Sequence, residues 1–203
     1  MQVREADSRV ALELAAMKAA DLKLRDQLAA EGALSGGYNE EMAALHRKHA
    51  MRFREILEIH GWPGRSLVGE EGCAAAWLIL QHSVLDPALM RRAQPMLEAA
   101  VHAGEAPPAH LAYLTDRIRT LQGELQVYGT QHDWDDQGQM SPLPIEDEAG
   151  VEQRRSMLGM EPLSAHTTRL REQVIRENQK APADLAAHRK AGHEWARSLG
   201  WRS

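Results

Sequence analysis

The stretch GCAAAWLILQHSVLDP, residues 72–87, is apolar for most of its length and then delivers Gln81, His82 and Asp86. On a helix, His82 and Asp86 lie four residues apart and share a face. A carboxylate beside an imidazole fixes the tautomer and raises the basicity of the ring, which makes a histidine a competent general base near neutral pH. A polar side chain buried without a partner costs ~1–3 kcal/mol, so Gln81 and His82 call for partners inside the protein. Asp116, Arg117, Tyr128 and Gln131 follow in the chain and can supply them. His82, Asp86 and Asp116 are therefore the catalytic candidates. The plainer reading stays open beside it: Asp86 caps the next helix and His82 bonds a backbone carbonyl.

Arg117 and the pair Arg154-Arg155 point to anion binding, because a planar guanidinium grips carboxylate, phosphate or sulfate with two parallel bonds. With Gln81, Tyr128, Thr130 and Gln131 they make up the expected substrate-binding set. Ion pairs explain the same arginines, with Glu124 for Arg117 and with Glu146, Asp147 or Glu152 for the pair. In Tyr128-Gly129-Thr130-Gln131, Gly129 suits a left-handed turn. Thr130 and Gln131 then line a pocket or satisfy the loop's own backbone.

Metal-binding patterns are weak. His46 and His49, His188 and His193, and the run His132-Asp133-Trp134-Asp135-Asp136 fit no metalloprotease, zinc-finger or EF-hand spacing. His46 and His49 stand among Arg47, Lys48 and Arg52, which argues against a cation there. A metal held by His82, Asp86 and Asp116 is a minor alternative, and the expectation is no metal and no cofactor. Ser83 adjoins His82, but neighbouring helical residues point apart. Cys73, the single cysteine, excludes an intrachain disulfide and reads as a small buried side chain.

These residues need elements to hold them. Val10, Leu14, Met17, Leu24 and Leu28 predict a long helix over 4–32, ended by Gly32 and Ser35-Gly36-Gly37. Asn39 predicts the cap of a helix over 40–60, stopped by His60-Gly61-Trp62-Pro63-Gly64. The helix over 71–85 is apolar almost all round and is expected at the centre. Asp86-Pro87 opens a helix over 87–103 that Pro95 should kink or split. Leu111, Leu114, Ile118, Leu121 and Leu125 predict a helix over 108–127. Periodicity then fails, and 128–148 reads as a small hairpin or ordered loop packed by Tyr128, Trp134 and Ile145. A short helix over 148–159 and helices over 164–179 and 182–199 complete the chain. The expected fold is an all-α, single-domain bundle of about seven helices with one irregular insertion. Within it, 1–60 form an N-terminal helical pair, 61–165 a core and 166–203 C-terminal helices.

The chain has 203 residues and a formal net charge of −5, with scattered Lys and Arg, so a general affinity for nucleic acid is not expected. Arg4, Glu5, Asp7 and Arg9 interrupt any leader-like apolar run, and no stretch reaches the ~18 apolar residues of a membrane span. A cytoplasmic protein without membrane association is expected.

Several motifs together resemble a known bacterial family, the domain of unknown function numbered 6624. They are Gly61-Trp62-Pro63, Gly72, Ala76-Trp77, Gln81-His82, Asp86, Ala112-Tyr113-Leu114, Asp116-Arg117, Tyr128-Gly129-Thr130-Gln131, Pro144-Ile145, Asp147, Arg154-Arg155 and Leu158-Gly159. The resemblance covers about residues 50–165, with EWARSLGW a weaker echo near the end. It implies no activity, but it groups Gln81, His82, Asp86, Asp116, Arg117, residues 128–131 and Arg154-Arg155. Two expectations follow. In the first, His82 drives acid/base chemistry on an anionic small molecule: hydrolysis, elimination or a cyclisation of the kind found in secondary metabolism. In the second, the protein is a non-catalytic helical binding module, with the terminal helices pairing with a second copy or a partner protein.

Overall fold

A computed structural model describes residues 2–33 and 37–203, the side chains of residues 2–8 excepted. The fold is all-α: eight helices and one two-stranded sheet among the described residues. The helices are α1 (Gln2–Ala30), α2 (Glu40–His60), α3 (Arg65–His82), α4 (Pro87–His102), α5 (Pro108–Gln122), α6 (Val151–Met157), α7 (Leu163–Arg176) and α8 (Leu185–Ser198). Strands β1 (His132–Trp134) and β2 (Met140–Pro142) pair antiparallel, with Asp133 opposite Ser141. The chain falls into two compact units, Met1–Leu111 and Ala112–Ser203, whose boundary lies within α5. It coincides with neither limit of the family-like segment read from the sequence. Ser35 and Gly36, in the expected break after α1, lie outside the described residues.

In the first unit α1 and α3 pack along their length. Val10, Leu14, Met17 and Leu28 of α1 are buried, as are Cys73, Ala75, Ala76, Ile79 and Leu80 of α3. The small side chains of α3 let the helix axes approach, so the apolar rod sits inside, as its composition requires. Asn39 caps α2, its Oδ1 accepting from the Glu41 and Met42 amides at 2.9 and 3.2 Å. Phe53, Ile56 and Leu57 of α2 and Leu89, Met90, Ala93 and Leu97 of α4 complete this core. Pro95 does not split α4, which runs from Pro87 to His102. The buried residues on either side hold the helix against the single hydrogen bond that a proline removes. Cys73 is buried; its thiol donates to the Glu105 carbonyl at 3.5 Å, and burial pushes its pKa up.

In the second unit α5 stops at Gln122, five residues before the end expected from its leucine stripe. Gly123 takes φ 85°, a left-handed conformation that closes the helix. The chain beyond is extended: the Gln126 amide donates to the Pro144 carbonyl at 3.0 Å, and the Glu146 amide to the Gln126 carbonyl at 2.9 Å. Leu125 is thereby exposed rather than part of the stripe. Asp135 closes the hairpin, accepting from the amides of Gln137 and Gln139 and from the Ser141 hydroxyl.

Candidate functional site

In the first unit, polar side chains from three helices meet inside the apolar core. Asp21 stands seven residues after Leu14 and seven before Leu28, so it belongs to the buried stripe of α1 and has no exposed surface. His46 and His49 fall on the buried stripe of α2 between Met42 and Phe53, and both are buried. His82 ends α3, where the rod reaches the surface, and its side chain is 25% exposed.

His82 Nδ1 lies 3.0 and 2.9 Å from the two carboxylate oxygens of Asp21. His46 Nε2 lies 2.9 Å from Asp21 Oδ2. It nevertheless has no aligned hydrogen-bond partner, so the in-plane axis of this nitrogen passes beside the oxygen. The other nitrogen of His46, Nδ1, bonds the Tyr38 hydroxyl. The two imidazoles stand 4.9 Å apart between ring centroids, tilted by 36°. Burial works against the Asp21 charge, but the hydrogen bond from His82, the close contact of His46 and the charge on both rings outweigh it and hold this carboxyl well below the usual carboxylate range. Burial pushes His49 the opposite way from a solvated imidazole, toward the neutral form, although the Asp21 charge opposes this.

Asp21 therefore occupies the place that the sequence reading assigned to Asp86. Asp86 instead caps α4, accepting from the Leu89 amide at 3.0 Å, and pairs with Arg54 at 2.5 Å. The loop after α3 turns this carboxylate toward the start of α4 and toward α2. Helical spacing alone would have kept it beside His82. Gln81 is buried in α3 next to His82 in sequence.

Asp116, Tyr128, Thr130, Gln131, Arg154 and Arg155 form a separate structure in the second unit. Asp116 is fully buried and accepts the Val127 amide at 2.7 Å, the Tyr128 amide at 3.1 Å, and the Thr130 amide and hydroxyl at 3.0 and 2.9 Å. It thus clamps the turn after α5. Gln126 accepts the Gln131 amide at 2.9 Å and donates to the Leu143 carbonyl at 2.6 Å. The Gln131 side chain donates to the Thr130 hydroxyl. Gly129, at φ 69°, passes so close to α7 that a Cβ there would meet Leu163 Cδ1 at 2.8 Å. Arg154 donates to the Val127 carbonyl and pairs with Asp147. Arg155 is buried and donates to the Tyr128 and Glu161 carbonyls at 2.7 and 2.8 Å. Arg117 lies part-buried on α5. The motif Tyr128–Gln131 with Arg154-Arg155 is thus a self-braced turn.

The second unit also holds a cleft of about 640 Å³ lined by Trp134, Pro142, His188, Arg189, His193 and Trp195, among others. None of the expected site residues lines it, nor does any residue of the Asp21 cluster.

Two signals in the sequence pointed to the missed residues. Asp21 is a lone carboxylate inside an apolar heptad stripe, and His46 and His49 keep the spacing of buried neighbours. Arg47 and Lys48 are exposed on α2, and Arg52 pairs with Glu13 of α1, so the basic charge around the two histidines is solvated or neutralised.

Residues 8–177 match the model of a family described as a family of unknown function, DUF6624. No curated protein and no solved structure matches the chain. No helix among the described residues is long and apolar enough to cross a membrane.

Proposed function

Taking as premise that the chain belongs to the DUF6624 family, we propose that it is a small-molecule enzyme whose acid/base centre is the cluster of Asp21, His46 and His82. One observation carries the reading: a fully buried carboxylate holds the Nδ1 of a histidine whose ring reaches solvent. Nδ1 on the carboxylate directs Nε2 away from it by the geometry of the ring. His82 then accepts a substrate proton at Nε2, Asp21 stabilises the imidazolium that results, and the proton returns to the leaving or newly basic group. That sequence serves hydrolysis, elimination or intramolecular cyclisation alike. The anion-holding role expected of Arg154 and Arg155 is not part of this proposal: Arg154 binds the Val127 carbonyl and the Asp147 carboxylate, and Arg155 donates to the Tyr128 and Glu161 carbonyls.

The test is conversion of a panel of small esters, amides, hydroxy acids and phosphate esters, followed by mass spectrometry with wild type and His82→Gln. General acid/base catalysis contributes about 10²–10⁴-fold, so the variant should lose that factor while melting within a few degrees of wild type. A variant that converts at the wild-type rate overturns the proposal, as does a panel in which wild type converts nothing. A second reading, a binding module without catalysis, draws on the Trp134–Trp195 cleft. It is favoured if panel compounds raise the melting temperature unchanged and Trp195→Ala removes the shift.

A further inference from the structure

We propose that Asp21, His46 and His82 form a three-ligand site for a divalent first-row transition ion, with its remaining positions open to water and substrate. This rests on the cluster being the reaction centre and names the group that would hold the reacting proton there.

The donor atoms converge. One oxygen of Asp21 and one ring nitrogen from each histidine lie within 4.8 Å of one another. Ligands bonded at about 2.0–2.2 Å to one ion at near-tetrahedral or octahedral angles stand about 3.0–3.4 Å apart. The 2.9 Å approaches of His82 Nδ1 and His46 Nε2 to Asp21 Oδ2 need only a few tenths of an ångström to reach that spacing.

A second observation, at His46, favours an ion over a plain hydrogen-bonded cluster. If His46 Nε2 simply donated to Asp21, its axis would point at the oxygen. At 2.9 Å it does not. An off-axis oxygen is what a nitrogen aimed at a shared ion has beside it, because the two ligands subtend an angle at the metal. The Tyr38 hydroxyl on His46 Nδ1 fits the same picture. A ligating histidine gives its other N–H to an acceptor, which fixes the tautomer that leaves Nε2 a lone pair.

Charge points the same way. Among the described residues Asp21 forms no salt bridge to lysine or arginine, and its ion-pair partners are the two imidazoles. A buried carboxylate favours a full counter-charge. His49 adds a further buried nitrogen, Nδ1, with no hydrogen-bond partner, one turn beyond His46. Two imidazoles and one carboxylate select zinc, cobalt, nickel or iron over magnesium or calcium, which take all-oxygen sites. An ion held by three protein ligands ionises a bound water near neutral pH, so that water, rather than His82, would then carry the acid/base role.

The experiment uses the tag-free full chain, stripped with chelator and titrated with Co²⁺ and Zn²⁺. Expected are one equivalent bound, visible Co²⁺ ligand-field bands, and Zn²⁺ displacing Co²⁺. His46→Gln, His82→Gln and Asp21→Asn should each weaken binding at least 100-fold. Should a variant fail to fold, imidazole ¹⁵N shifts of wild type read the same point, with His82 Nδ1 and His46 Nε2 moving on Zn²⁺ addition. Absence of saturable binding up to millimolar metal overturns the inference, as does binding that survives all three substitutions. Conversion by the stripped enzyme that still requires His82 also overturns it, while leaving the reaction-centre reading intact. Metal bound by the trio with no panel compound converted supports the ion and removes the enzyme reading.

Discussion

Replacing Asp116 by Asn should destabilise the second unit sharply, because the carboxylate accepts from three residues of one turn. Oδ1 takes the Val127 amide and shares the Tyr128 amide; Oδ2 takes the Thr130 amide and hydroxyl. An asparagine keeps one oxygen and sets an N–H group against the donors at the other. Two charge-assisted bonds are lost, each worth about 1.5–3 kcal/mol. The neutral amide is cheaper to bury, which offsets part of the loss. The net cost is about 3 kcal/mol, or a fall of roughly 6–12 °C in melting temperature for a chain of this size. Urea titration and calorimetry measure it, and hydrogen exchange localises it to the amides of residues 127, 128 and 130. A loss under about 0.5 kcal/mol with those amides still protected would refute the clamp.

Two further predictions follow from the same geometry. Gly129→Ala combines a left-handed φ of 69° with a Cβ 2.8 Å from Leu163 Cδ1, so it should cost about 1–3 kcal/mol in a urea titration; a neutral effect would contradict the close approach. His110 stacks on Trp77 at 4.5 Å, and burial, helped by Arg65, lowers its pKa to about 4. Its folded value lies below the unfolded ~6.5, so the unfolded chain binds the extra proton. Stability is therefore full above pH ~6.5 and falls by up to about 3 kcal/mol as pH drops toward 4. His110→Phe keeps the stack and removes the titration, so its stability should decline less over that interval; parallel pH profiles would refute the assignment.

Local interactions made much of the fold legible in advance. Asn39, Asp86-Pro87 and the Gly61-Trp62-Pro63 break act within a few residues of themselves, and the helices begin and end beside them. The apolar run through residues 72–80 could satisfy itself only at the centre of a bundle, and it lies there. His82 also stood out, since a polar group at the end of such a rod must meet something. What it meets is Asp21, 61 positions earlier in the chain. No periodicity encodes that pairing, because it depends on the packing of α1 against α3. Asp86 and Asp116 looked equally suited by residue type; a loop turned one toward Arg54, and an early helix stop at Gly123 wrapped a turn around the other. Sequence patterning determined the helices, their buried faces and the inward-set imidazole, all of which follow from short-range sterics and hydrophobic burial. Tertiary packing alone decided which carboxylate and which second histidine stand beside it, because those distances are set by where whole helices cross.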